Sequence, residues 1–353
     1  MESNNDEKYQ ALARVVKQLL NLVIAMLLLI LTMFGYLLYI QPQIIQKPSI
    51  AEVQAPVPSA SANTEVKEKY WLAPDTSSIS DASEMETILY GRELIANTAA
   101  YFGPEGKVKK NAINGMNCQN CHLDAGTRVF GNNYSAVFAT YPKYRARSGS
   151  NEDIFKRVND CFERSLNGEP LSKNSREMKA ITAYINWLGK DVPKGEKSNG
   201  SGLKEMPFLD RAADPEKGKL AYNQKCVSCH QANGEGLMNS EKTAYTYPPL
   251  WGSNSYNIGA GLYRISNFAK YAKYNMPLGA THYNPQLSDE EAWDIAAYVN
   301  SQPRPQKDIS KDWPKIAEKP FDHPFGPFAD RFDEQQHKYG PFQPIKDKAS
   351  AMK

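Results

Sequence analysis

Hydrophobic and polar positions divide this chain into an apolar run, a patternless stretch and a long helically periodic remainder. From Gln18 to Ile40 no residue is charged, and Leu27, Leu28, Leu29 and Leu31 cluster in its centre. Coiled as a helix, the run would extend about 34 Å at roughly 1.5 Å per residue, more than the ~30 Å hydrocarbon core of a bilayer. It exceeds the roughly 7–15 apolar residues of a cleaved signal. The polar Gln41-Pro42-Gln43 stands where a small-residue cleavage site would be. Lys8, Arg14 and Lys17 precede the run, a basic flank that sets the amino terminus in the cytoplasm. The pattern therefore predicts a cytoplasmic segment over 1–17 and an uncleaved single-pass anchor over 18–40. Between Pro42 and Lys69 the residues are rich in Pro, Ala, Ser and Val without a helical period, so 41–69 reads as an extended tether.

Beyond Tyr70 the period becomes helical and repeats a set of landmarks. Helical runs over Met85–Phe102 and Pro215–Lys225 open two copies of one unit. Tyr141-Pro142 and Tyr247-Pro248 follow in the middle of each. Each closes on an amphipathic helix, marked by Ala183-Tyr184-Ile185-Asn186 and by Ala297-Tyr298-Val299-Asn300. Met178, Ile181, Ile185 and Leu188 share one face of the first closing helix; Ala292, Ile295, Ala296 and Val299 share one face of the second. The copies span 70–192 and 204–302, joined by a Gly/Ser/Lys-rich linker over 193–203. The remainder, 303–353, carries Trp313, Phe321, Phe325 and Phe328 among many prolines, which argues for an ordered extension wrapped over both units.

Cysteine usage adds the chemistry. Four of the five cysteines form Cys118-Gln119-Asn120-Cys121-His122 and Cys226-Val227-Ser228-Cys229-His230. C-x-x-C-H is the attachment sequence of a c-type haem: the cysteines reach the porphyrin vinyl groups and the histidine meets the iron. A redox dithiol or half a zinc site would explain either pair alone, but not a histidine directly after both. The chain is thus expected to bind two covalent haem c groups through Cys118, Cys121, His122, Cys226, Cys229 and His230. An early helix, the motif and a closing helix follow the order of the small all-helical cytochrome c fold. The expected class is all-α, two tandem cytochrome c domains behind an N-terminal transmembrane helix. Such haems are attached outside the cytoplasm, so both domains are expected to face the periplasm from the inner membrane. A net charge of +3 gives no reason to expect a nucleic-acid partner.

Each iron needs a distal partner. In the second unit Met276-Pro277 precedes the closing helix, and a thioether there suits an electron-transfer haem. Met238 competes but follows the haem motif too closely. In the first unit the leftover Cys161 lies before Tyr184 at nearly the spacing of Met276 before Tyr298, whereas Met178 is inside the closing helix and Met116 adjoins the haem motif. The expected iron ligands are His122 and Cys161, then His230 and Met276. A thiolate lowers the iron's potential relative to a thioether, which suggests haem 1 as the reactive centre and haem 2 as the relay. Arg145, Arg147, Lys156, Arg157 and Arg164 surround Cys161 in sequence. A helix over 151–165 would set Arg157, Cys161, Arg164 and Ser165 on neighbouring faces, where guanidinium forks suit an oxyanion.

Arg157-Val158-Asn159-Asp160-Cys161-Phe162-Glu163-Arg164-Ser165 resembles the motif of the dihaem thiosulfate dehydrogenases. The resemblance continues through Tyr247-Pro248-Pro249-Leu250-Trp251-Gly252 to Asn275-Met276-Pro277 and so covers both haem domains. It implies interconversion of thiosulfate and tetrathionate, with Arg147, Arg157 and Ser165 holding substrate and Cys161 as haem ligand and sulfur-reactive group. It also implies a cytochrome or quinone-linked redox partner in the periplasm or membrane. Some members carry lysine immediately before the distal methionine; Asn275 stands there in this chain, which argues against ligand exchange at haem 2. A membrane-tethered electron carrier without catalytic activity is the alternative expectation.

Overall fold

The computed structural model describes residues 3–44 and 69–351 and divides into two units, 1–66 and 67–353. In the first unit a single helix runs over Ser3–Ile44, longer at both ends than the 18–40 run that its apolar pattern predicts. Its Val16–Tyr36 stretch is long and apolar enough to cross a membrane. Most of the expected tether lies outside the described residues.

The second unit is mostly helical. Its only strands among the described residues are two short antiparallel pairs, Lys143–Arg145 with Ser150–Glu152 and Leu237–Met238 with Tyr245–Tyr247. Both expected repeats are built the same way. The early helix of the first, Ala82–Ala96, starts on Asp81, whose carboxylate accepts from the Glu84 N–H at 2.6 Å. It breaks at Asn97 and resumes over Thr98–Phe102, so the single run predicted there is two helices. In the second repeat the early helix spans Pro215–Lys225, as its sequence predicts, with Asp214 as cap and proline in the first turn. The closing helices are Arg176–Leu188, capped by Ser175, and Asp289–Ser301, started by a Ser288/Glu291 capping box. Met178, Ile181, Ile185 and Leu188 are buried, as are Ala292, Ile295, Ala296 and Val299. Each large aliphatic among them contributes about 1.5–3 kcal/mol by leaving water.

One contact recurs in both repeats. A β-carbon on Gly91 would stand 2.0 Å from the Ala180 carbonyl oxygen and 2.8 Å from Tyr184 Cβ. On Gly218 it would stand 1.8 Å from the Asp294 carbonyl oxygen and 2.9 Å from Tyr298 Cβ. Early and closing helices thus cross backbone to backbone, at matching positions, over a glycine.

The halves are tied together by the Ile265–Asn275 helix of the second repeat. Tyr271 Oη donates to the Asn120 carbonyl at 2.7 Å, inside the first C-x-x-C-H turn, and Asn275 Nδ2 donates to the Phe130 carbonyl at 3.2 Å. The 193–203 stretch is laid against the first repeat: Phe130 N–H and Asn132 N–H donate to the Gly200 and Gly202 carbonyls. The C-terminal extension is ordered by its aromatics. Phe321 packs against Phe208 and Phe342, and Phe342 against Trp293, with ring centroids 5.3–5.4 Å apart.

Candidate active site

The first C-x-x-C-H turn opens onto a cavity of about 900 Å³ of empty space including its mouth. Cys118, Cys121 and His122 form part of its wall; Arg157, Cys161 and Ser165 form another. The rest is chiefly apolar, with Ile95, Met116, Val137, Phe162, Leu166, Ile181 and Ile185. Volume and lining suit a large, chiefly apolar macrocycle with a polar reaction edge.

The donor set fits the same group. His122 Nδ1 faces the Asn132 carbonyl at 2.6 Å, which puts the proton on Nδ1 and leaves Nε2 as the lone-pair donor for a metal. Tyr134 stacks on the ring at 4.5 Å and holds its orientation. Burial lowers the His122 pKa to about 4, so the imidazole is neutral at physiological pH. Burial pushes Cys118 and Cys121 up to about 12, opposite to the depressed thiols of a redox C-x-x-C pair. In the second repeat His230 Nδ1 faces the Pro248 carbonyl at 2.8 Å, and burial pushes Cys226 up to about 12. His230 is buried, and Met276 is half-buried at the C-cap of the Ile265–Asn275 helix. Among the described residues no cluster of His, Cys, Asp and Glu forms a zinc-type site.

The segment carrying Cys161 departs from the expected helix over 151–165. Ser150–Glu152 is a strand, because it pairs with Lys143–Arg145. The α-helix begins only at Ile154, where Asp153 accepts from the Lys156 N–H at 2.8 Å, and ends at Asp160. Cys161–Ser165 then forms one π-helical turn, with the Leu166 N–H donating to the Cys161 carbonyl at 2.9 Å. Single π turns are frequent at functional sites.

Arg157 Nη1 donates to Cys161 Sγ at 3.2 Å. The facing sulfur pushes the Arg157 pKa further up, so the guanidinium stays charged despite burial. Arg147 lines a smaller adjacent cavity with Asp312, Trp313 and His323 rather than the wall that holds Cys161. Burial, then the neighbouring charges of Arg164 and Arg157, lowers its pKa to about 10, so it too is cationic at neutral pH. Two further cations of the stretch are engaged elsewhere. Arg164 forms a two-pronged ion pair with Asp312 at 2.7 and 2.8 Å, and Lys156 pairs with Asp160 at 2.6 Å. The basic run therefore converges on the Cys161 cavity only in part. Tyr134, Asp312 and Trp313 are site neighbours that the sequence reading missed.

The comparisons with known proteins match this organisation. Residues 108–193 match the family model described as SoxA/TsdA, cytochrome c domain, and residues 215–303 match the cytochrome c model. A thiosulfate dehydrogenase from Stutzerimonas stutzeri is 35% identical over 68% of this chain and 74% of its own. One from Psychrobacter arcticus is 37% identical over 68% of this chain and 71% of its own. The chain belongs to the thiosulfate dehydrogenase family. Among solved structures, the "as isolated" thiosulfate dehydrogenase (TsdBA) of Marichromatium purpuratum is similar with a TM-score of 0.61 and 29% identity. That likeness covers 67% of this chain, which spans 50% of the longer protein. Family membership decides the choice between an enzyme and a bare electron carrier in favour of the enzyme. The pair of cytochrome c domains implies haem c, and each matched stretch contains one C-x-x-C-H turn.

Proposed function

We propose that this chain joins two thiosulfates into tetrathionate, with release of two electrons, at a haem 1 site built around Cys161, and that it can run the reaction backwards. The observation that carries this reading is the 3.2 Å contact from Arg157 to Cys161 Sγ beside His122, Cys118 and Cys121 in one cavity. His122 and Cys161 hold the first iron in this reading, and His230 and Met276 the second. When bound, the haems take up the electrons one at a time.

The chain's own residues handle the sulfur. Arg157 and Arg147 offset the charge of an incoming dianion, and the Ser165 hydroxyl offers a further hydrogen bond. Cys161 Sγ, as a thiolate, bonds to the outer sulfur of a first thiosulfate, losing two electrons and leaving a Cys161 S–S–SO3⁻ adduct. The outer sulfur of a second thiosulfate attacks the sulfur next to the sulfonate. Tetrathionate leaves, and the Cys161 thiolate returns. No proton is moved, so two cationic guanidiniums and no general base match the chemistry.

The N-terminal apolar helix tethers the enzyme to the inner membrane in this reading, with the haem domains in the periplasm and a cytochrome or quinone-linked complex as redox partner. The test uses the full-length holoprotein in detergent: thiosulfate-dependent ferricyanide reduction and tetrathionate-dependent oxidation of a reduced viologen. Activity in at least the first assay is expected. Silence in both, with both haems attached, would leave only an electron carrier.

A further inference from the structure

The C-terminal extension reaches the substrate side of the first domain, although it lies outside both matched domains. Four contacts hold the hairpin formed by Lys143–Arg145 and Ser150–Glu152. The Trp313 N–H donates to the Arg147 carbonyl at 2.7 Å, and the Arg147 guanidinium lies 5.8 Å from the centroid of the Trp313 ring. Tyr144 Oη donates to Glu318 at 2.6 Å. Gly149, at φ +64°, meets Pro314 so closely that an added β-carbon would come within 2.5 Å of it. The same segment also grips the Cys161 turn. Asp312 takes both prongs of Arg164, three residues after Cys161, with both side chains nearly buried at 11% and 13% exposure. A buried, two-pronged arginine–carboxylate pair fixes orientation as well as distance. Trp313 itself sits at φ +59°, a left-handed conformation costly for a bulky residue, held where its ring meets the arginine.

We propose that Asp312 and Trp313 are positioning residues of the substrate site: Trp313 sets where the Arg147 guanidinium stands, and Asp312, through Arg164, sets the turn that carries Cys161 and Ser165. The extension is then part of the enzyme's working site rather than a cover over it. The inference rests on the reading of Arg147 and Cys161 given under Proposed function.

The experiment compares Trp313→Ala, Trp313→Leu, Trp313→Phe, Asp312→Asn and Arg147→Ala as full-length holoproteins. Thiosulfate is titrated calorimetrically into the fully reduced protein, in which no turnover takes place, and steady-state KM and kcat are measured beside it. Trp313→Ala and Trp313→Leu are expected to weaken binding and raise KM by about tenfold, with kcat changed far less, as loss of one half-buried cation–ring contact implies. Trp313→Phe, which keeps a ring, is expected to restore both. Asp312→Asn is expected to alter the electron paramagnetic resonance signal of haem 1 and leave that of haem 2 unmoved. Native binding in Trp313→Leu beside weakened binding in Arg147→Ala would overturn the proposal while keeping Arg147 as a substrate residue. Native binding in Arg147→Ala would overturn the underlying reading and this proposal with it. If Trp313→Ala fails to fold, the contrast between Leu and Phe decides alone, and equal behaviour of those two overturns the role of the ring.

Discussion

Arg157 and Cys161 stand one helical turn apart, with the guanidinium donating directly to the sulfur at 3.2 Å. The contact sets a fixed positive charge directly against the one sulfur in the cavity wall opposite His122. The pair links the geometry to the chemistry proposed for it.

Cys161→Ala is expected to keep both covalent haems, because the attachment read from the two C-x-x-C-H motifs uses Cys118, Cys121, Cys226 and Cys229. Turnover is expected to fall on the order of a hundredfold or more, the scale of losing a group that bonds to substrate. Haem staining after denaturing electrophoresis reports the first outcome and ferricyanide reduction the second. Near-native rates would remove the thiolate from the reaction.

Arg157→Gln keeps a hydrogen-bond donor but loses the charge. Hydrogen bonds to charged groups are worth about 1.5–3 kcal/mol, so kcat/KM for thiosulfate is expected to fall between about tenfold and a hundredfold. Reduction of the haems by dithionite is expected to be unaffected. Rates with an unchanged dependence on thiosulfate would move the substrate site elsewhere.

Asn275 is committed on both sides: its Nδ2 donates to the Phe130 and Tyr271 carbonyls, and the side chain is buried. Its neutral amide is a poor competitor for iron, and both hydrogen bonds hold it away from the place proposed for Met276. The methionine-to-iron absorption band is therefore expected to survive oxidation and reduction of haem 2. Protein-film voltammetry is expected to give oxidative and reductive currents of comparable size with thiosulfate and tetrathionate. A current in one direction only would defeat the bidirectional reading.

Gly91→Ala and Gly218→Ala should each disrupt one repeat, since the added carbon would overlap a backbone carbonyl in the facing helix. Overpacking of about 1–3 kcal/mol is the minimum cost, because backbone yields less readily than side chains. Thermal unfolding followed by helix circular dichroism is the measurement; an unchanged midpoint in both variants would mean that the helices can separate freely.

Deleting residues 1–41 behind a cleavable export signal is expected to release a soluble, active protein, because the apolar Val16–Tyr36 stretch goes with them. Fractionation after lysis reads the outcome. Tight association with membranes after the deletion would assign the anchoring to another surface.

The sequence exposed the repeat because amphipathic helices and paired motifs are local signals. The Tyr184 and Tyr298 landmarks mark the closing helices, and the Pro215–Lys225 helix has the predicted bounds because its cap and first-turn proline adjoin it in sequence. The substrate side was less legible. Ser150–Glu152 is short and polar, and it becomes a strand only by pairing across a turn closed by Gly149. Arg164 read as one cation among several, whereas its carboxylate partner, Asp312, comes far later in the chain. Gly91 and Gly218 lie within helices, where a single glycine gives no sign of the backbone opposite.

The hydrogen bond from Tyr271 to Asn120 also bears on kinetics. It joins the first haem-attachment turn to the helix that leads into Met276, within one compact unit. In the relay proposed above, charge passing between the halves would be a first-order event over a fixed span, indifferent to dilution. Collision would remain only at the outer boundary of that proposed reaction, where thiosulfate arrives and the electron acceptor departs.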